Sequence, residues 1–256
     1  MNNILVAQNI EKYYSSKEKV LHQISITIRS GESVGLIGES GCGKSTLARC
    51  LLLTQNIDSG SIMYQGTPVR ATDRSSFKKY KGSVQAVFQN PTGALNPRIR
   101  LLNSLMEPLD HLHRRGWFYI KKNQHQRKEV AAHLLELVGL SPDLMNRYPH
   151  ELSGGQKQRL CIARAISVEP NLIIMDEPTS NLDALIQSEI LDLLRTLQKR
   201  LDFSYLFISH DLPVVQQMCD RILVMRKGQI VDEYMKEELF DTKRHPYTQQ
   251  LAKWYD

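Results

Sequence analysis

The chain has 256 residues, 41% hydrophobic and 23% charged, which supplies enough apolar side chain for one large domain or for a core with one insertion. No stretch approaches the roughly 18 uninterrupted apolar residues of a membrane span, and Met1-Asn-Asn-Ile-Leu-Val-Ala7 lacks a basic start, so no signal peptide is expected. Lysine and arginine (33) exceed aspartate and glutamate (27) by 6, which suits an anionic ligand or membrane surface but does not imply nucleic acid.

Residues 4–10 and 21–28 alternate apolar and polar positions, as in a small antiparallel sheet, with a polar link at Ser15–Lys19. Tyr14, after Tyr13, closes the first strand. It either stacks on a nucleotide base, worth about 1–3 kcal/mol, or is an ordinary cross-strand aromatic. Ser30-Gly-Glu32 turns into a buried strand, Ser33–Ile37, and a helix runs from Thr46 to Leu53. Between them Gly38, Glu39, Ser40, Gly41, Cys42, Gly43, Lys44, Ser45 and Thr46 fit G-x-x-x-x-G-K-[ST]. Glycines let successive N–H groups point inward around a phosphate chain, onto the positive end of the helix. Lys44 would reach the β- and γ-phosphates, and the Ser45 hydroxyl would bind Mg2+. This is a nucleoside triphosphate site. The four cysteines, at 42, 50, 161 and 219, have no C-x-x-C spacing and are expected as reduced thiols without a metal site.

Asp58–Gly66 is predicted as turn, short strand and turn, and Lys81–Gln89 as a further strand. Gln89, at the mouth of that strand, could reach Mg2+ or the attacking water and swing with the segment that follows. From Asn90 the texture turns to Pro and Gly, then to helical periodicity broken by Pro108. The basic run at 111–128 carries aromatics. Nucleic acid or lipid head groups could meet it, but a solvated helix face or loop is the simpler reading. Val130, Leu134, Leu137 and Val138 mark a helix that stops at Gly139, and Ser141-Pro142 caps a new one. Residues 91–158 are thus expected as a mainly helical insertion.

Leu152 and Ser153-Gly154-Gly155-Gln156 precede a helical run, so a hydroxyl, free N–H groups and a helix dipole make a second anion site. Two such sites in one chain make sense if the second serves a nucleotide held by another chain. Asn171–Glu177 is a near-continuous apolar strand ending in two carboxylates. Asp176 could hold the water shell of Mg2+, and Glu177 could polarise the attacking water. Ser180-Asn-Leu-Asp183 leads into a helix at 184–200. Ser204–Ser209 is another buried strand, ending on His210, which could contact a γ-phosphate or play a structural part. Residues 221–231 read as a hairpin, and the tail from Glu237 as helix broken by Arg244-His-Pro-Tyr-Thr248.

The set as a whole resembles the ABC ATPase subunit, over essentially the entire chain. The resemblance implies an α/β P-loop NTPase (RecA-like) core from 1–90 and 159–235. An N-terminal antiparallel β subdomain, a helical subdomain at 91–158 and a tail at 236–256 would complete it. It also implies ATP and Mg2+, with Ser45, Gln89 and Asp176 on the metal. Tyr14 would stack on adenine, Gln89 act as the switch sensing the membrane partner, Glu177 as catalytic base and His210 as γ-phosphate sensor, with Asp183 in the D-loop. Ser153, Gly154, Gly155 and Gln156 would face a partner's ATP. Asn181 departs from the commoner Ala of the D-loop. Phe88–Pro97, Tyr148–Gln156 and Arg244–Thr248 resemble the oligopeptide, dipeptide and nickel importer branch, and there the second of its two unlike ATPase subunits. That branch implies a second ATPase chain (a homodimer being the alternative), permease subunits, an extracytoplasmic binding protein, and a peripheral place on the cytoplasmic side of the membrane. Many peptide-type members continue past His-Pro-Tyr-Thr with a Cys-bearing extension, so an end at Asp256 leans toward nickel or metal chelates. An exporter subunit is the nearer rival, and the branch motifs speak against it. A soluble ABC ATPase acting on nucleic acid would usually carry two cassettes or a long coiled coil, and no nucleic acid partner is expected here.

Overall fold

A computed structural model describes residues 2–15, 18–112 and 124–253, so most of the basic run at 111–128 lies outside the described residues. In chain order the strands are β1 (Asn3–Ser15), β2 (Glu18–Arg29), β3 (Ser33–Ile37), β4 (Ser59–Tyr64), β5 (Thr67–Pro68), β6 (Val84–Phe88), β7 (Leu172–Asp176), β8 (Ser204–Ile208), β9 (Arg221–Arg226) and β10 (Gln229–Met235). The α-helices are α1 (Lys44–Leu51), α2 (Arg74–Ser83), α3 (Pro91–Ala94), α4 (Leu101–Leu112), α5 (Gln124–Leu137), α6 (Gly154–Ile166), α7 (Ala184–Leu201), α8 (Leu212–Met218) and α9 (Pro246–Ala252). Contacts divide the chain into two units, one of Met1–Val84, Asn171–Glu177 and Phe203–Asp256, the other of Gln85–Pro170 and Pro178–Asp202. Helix α7 packs against α6 and belongs to the second unit.

The first unit holds two sheets. One is antiparallel, in the order β2-β1-β4-β5. Its strands are longer than alternation suggested, since left-handed residues at Asn9 and Gln23 (φ 51° and 52°) coincide with register shifts between β1 and β2. Such bulges reset the inward-facing set and hide the true length from a period-2 reading. The other sheet runs β10-β9-β3-β8-β7, with β3 parallel to both β8 and β9, and β7 parallel to β8. Every residue of β3 and β8 is buried, as expected of central parallel strands. Register pairs Leu36 with Ile208 and Ile208 with Asp176, so β3, β7 and β8 end together. That carboxyl edge is where ligands bind in such sheets.

In the second unit α4, α5 and α6 pack on one another and α3 on α6, burying Leu101, Leu105, Leu135, Val138 and Leu160.

Three expectations need correction. The strand predicted at Lys81–Gln89 begins only at Val84, because Asp73 caps a helix (Ser75 N–H, 3.1 Å) that runs to Ser83 and buries Tyr80. Pro108 lies inside α4 instead of breaking it. Leu101, Leu105, Met106 and Leu109 are buried along the same helix. At about 1.5–3 kcal/mol each, they outweigh the roughly 3 kcal/mol that an internal proline costs. Arg244–Thr248 starts a helix, with Pro246 in its first turn and His245 Nδ1 accepting the Tyr247 N–H at 3.1 Å.

Arg221 is a buried charged group of the first unit with several partners. Its guanidinium donates to both Glu32 oxygens (2.7 and 3.0 Å), to the Thr27 carbonyl (2.6 Å) and to Glu233. Arg221 and Glu32 are about nine-tenths buried. Burial alone would raise the Glu32 carboxyl, but Arg221 and the Arg29 amide outweigh it and hold it below its ordinary value of 4.5. A lowered carboxyl adds stability that is present above that value and lost as pH falls through the folded value. Arg221→Ala is therefore expected to cost about 3–5 kcal/mol in urea unfolding, and to flatten the loss of stability expected of wild type below about pH 4.5.

Candidate active site

The loop from Gly38 to Gly43 leaves the end of β3 and enters α1. A Cβ at Gly38 would stand 2.1 Å from the Met225 carbonyl oxygen of β9, so no other residue fits there without moving backbone. The Gly228 N–H, in the β9–β10 turn, donates to the Cys42 carbonyl at 2.9 Å. Lys44 is 5% exposed, and its ammonium donates to the Gly38 and Glu39 carbonyls at 2.7 and 2.9 Å. A buried cation resting on neutral groups is only partly compensated, which suits an anionic ligand in the loop. Burial pushes the Cys42 thiol up, which keeps it neutral beside that ammonium. The Tyr14 hydroxyl bonds Thr46 Oγ1 at 3.0 Å, and this bond holds it below the usual phenol range. The Tyr14 ring is half exposed.

Ser45 Oγ donates to Asp176 Oδ1 at 3.0 Å, which joins the start of α1 to the end of β7. Burial, the largest influence, raises the Asp176 carboxyl against the opposing Ser45 bond. A hydroxyl and a carboxylate together are the hard oxygen donors that Mg2+ accepts alongside phosphate and water, so these residues fit that ion. Glu177 adopts a left-handed conformation at φ 50°. A non-glycine residue there costs about 1–3 kcal/mol and tends to mark functional positions. Its N–H donates to the Ile208 carbonyl (2.9 Å), and its Oε1 lies 3.2 Å from His210 Nδ1. One sheet edge thus gathers Lys44, Ser45, Asp176, Glu177 and His210.

Gln89, the signature residues and Asp183 belong to the second unit. Gln89 Nε2 donates to Ser180 Oγ at 3.0 Å, and Asn181 Nδ2 donates to the Gln89 carbonyl at 3.3 Å. Gln89 is therefore tied to the segment before α7. Asp183 caps α7 by accepting the Ile186 N–H at 3.0 Å. At the start of α6 the Gln156 N–H donates to Ser153 Oγ (3.3 Å) and the Ser153 N–H to Gln156 Oε1 (3.0 Å). This reciprocal cap was not foreseen. It takes a lone pair of Ser153 Oγ and leaves its O–H to donate elsewhere. Gly155 is needed for packing, since a Cβ there would lie 2.8 Å from Ile186 Cγ2.

The sequence reading also passed over Arg159 and Arg164. Arg159 donates to the Val138 carbonyl and Glu189 (both 2.9 Å), Arg164 to the Ala94 carbonyl and Glu107 (2.7 and 2.8 Å). They fasten the signature helix to its neighbours, although basic residues on a helix read as a solvated face.

Strand, phosphate loop, helix and the Ser45–Asp176 pair define a P-loop nucleoside triphosphatase. The ABC transporter family profile matches residues 21–180, and the chain belongs to the ABC transporter family. Within it, the chain falls in the oligopeptide, dipeptide and nickel importer branch and is an ATP-binding, ATP-hydrolysing subunit. It is 43% identical over 259 residues to the nickel import ATP-binding protein NikE of Brucella suis biovar 1 (strain 1330), covering 98% of this chain and 94% of that protein. It is 38% identical over 257 residues to the dipeptide transport ATP-binding protein DppF of Escherichia coli (strain K12), covering 97% and 75%. Among solved structures it resembles the dimeric post-hydrolysis state of the ATP-binding cassette MJ0796 bound to ADP and Pi, with TM-score 0.80, 27% identity, and 91% and 99% of the two chains covered.

Because burial raises Asp176, its ionised form weakens the nucleotide-free fold, and this penalty disappears as pH falls through the raised value. Asp176→Asn is expected to raise the melting temperature of the nucleotide-free protein at neutral pH. The gain should vanish in acid, where wild-type Asp176 is protonated.

Proposed function

We propose that ATP is held between the phosphate loop of this chain and the signature helix start of a second ATPase chain, and that its hydrolysis drives import through a membrane permease. The observation that carries the reading is Lys44, a buried ammonium whose hydrogen bonds end on neutral groups of its own loop, the Gly38 and Glu39 carbonyls and the Cys42 sulfur. The N–H groups of Gly41 to Thr46 wrap the phosphates, Lys44 neutralises the β- and γ-oxygens, and Tyr14 stacks on the adenine. Ser45 and Asp176 would hold Mg2+, which when bound neutralises charge on the phosphate oxygens. Glu177 accepts the proton of the attacking water as the new P–O bond forms, and the γ-phosphate separates from ADP. The contact at 3.2 Å lets His210 orient the Glu177 carboxylate, leaving its other ring nitrogen for the γ-phosphate. Ser153, Gly154 and Gly155 bind the partner's γ-phosphate, and Gln89 with Asp183 relays its presence.

The branch supports an unlike partner chain, with a homodimer as the second reading, together with an extracytoplasmic binding protein. No described helix is long and apolar enough to cross a membrane. Attachment to the cytoplasmic face would therefore run through the permease. Relatives named for nickel import, 43% identical, and for dipeptide transport, 38% identical, set nickel or a metal chelate beside peptides as the two cargo readings. Uptake of nickel and of dipeptides by cells lacking the chain separates the two.

Glu177→Gln is expected to bind ATP normally but turn it over about 10²–10⁴ times more slowly, whereas Lys44→Ala loses affinity itself. Equal losses of binding in the two variants contradict this division of roles. Pairing also has a test. A Lys44→Ala chain mixed with a partner broken only in its signature serine concentrates both defects in one composite site and retains some ATPase activity. Breaking the phosphate lysine in both chains damages both sites and removes it. Identical behaviour of the two mixtures excludes the shared site.

A further inference from the structure

The Arg244–Thr248 element has no part in the ATP chemistry above, yet it touches the phosphate loop. Asp232 Oδ2 anchors it by accepting the His245 N–H at 2.8 Å and the Thr248 hydroxyl at 2.7 Å. Tyr247 is 3% exposed, with the Arg226 guanidinium 4.7 Å from its ring centre. Its hydroxyl oxygen accepts the backbone N–H of Glu39 at 3.1 Å, across 208 positions of sequence. The Gly38 carbonyl, on the same peptide group, accepts the Lys44 ammonium at 2.7 Å. Tyr247 and Lys44 therefore grip opposite ends of one planar unit, and turning it breaks both bonds. Burial raises the Tyr247 phenol, so the hydroxyl stays neutral beside the loop.

We propose that Tyr247 is a positioning residue for nucleotide binding. Its hydroxyl fixes the Gly38–Glu39 peptide plane, and that plane sets where Lys44 stands. Docking of α9 thereby tunes affinity for the triphosphate from outside the site. The inference rests on Lys44 as the phosphate ligand.

Tyr247→Phe keeps the ring and the Arg226 contact and removes only the hydroxyl. Loss of one hydrogen bond corresponds to about a 2- to 10-fold change, expected here as a higher KM for ATP with kcat within about twofold. The matched control is Tyr64→Phe, which loses a bond to Asn171 Oδ1 (2.9 Å) in the same unit without touching the loop. It is expected to leave KM unchanged. A wild-type KM in Tyr247→Phe, an equal rise in both variants, or a fall in kcat alone overturns the proposal. Hydrogen exchange at the Glu39 amide of the wild-type chain provides a check that needs no variant. Protection supports the bond, and exchange at the rate of an exposed amide removes it. A wild-type chain that binds no ATP fails the underlying reading, and the inference falls with it. Normal binding with an unaltered Tyr247→Phe fails the inference alone.

Discussion

A buried ammonium must be compensated, and in this protein the compensation organises the first unit. Lys44 stands 5% exposed at the start of α1, where its hydrogen bonds end on two carbonyls and the Cys42 sulfur of its own loop. The loop that carries those carbonyls is also held from outside. The β9–β10 turn binds Cys42, Met225 crowds Gly38, and Tyr247 holds the Glu39 amide. Neutral oxygens cannot replace the water that a cation has lost. The site is thus shaped for a polyanion that brings its own charge and takes up the N–H groups of the loop.

Parallel pairing then brings the remaining chemistry to the same edge. Because β3, β8 and β7 lie side by side and end in register, Ser45, Asp176, Glu177 and His210 meet although they are far apart in sequence. Burial acts there against ionisation of Asp176, and Glu177 sits in a backbone conformation that costs free energy. Both features oppose stability in the empty protein and suit a site completed by its ligand. The second unit supplies different material, an exposed helix start with a reciprocal cap and a glutamine tied to Ser180.

Much of this was legible beforehand, for reasons that can be stated residue by residue. The phosphate loop is local: strand, glycines, lysine and helix are contiguous, so spacing alone constrains the backbone. The strands ending at Ile37, Asp176 and Ile208 are buried on both faces and read as continuous apolar runs. Helix α2 was missed because its polar and aromatic residues show little apolar periodicity, and Tyr80 is the large side chain that it buries in the core. Pro108 and Pro246 were both taken as breaks. One is overridden by burial along α4, and the other occupies a first turn where its missing N–H costs nothing.

Sequence determined the fold class, the phosphate loop, the carboxylates that end β7 and the signature helix start, since each is written within a few neighbouring residues. Tertiary structure alone decided which distant groups meet. Arg221 finds Glu32 across 189 positions, Ser45 finds Asp176 across 131, and Tyr247 finds Glu39 across 208. Local propensity carries no information about such pairs, because their partners are chosen by strand order and register. The bulges at Asn9 and Gln23 are likewise invisible locally, since a residue enters the left-handed region there only when the pairing of two strands requires it.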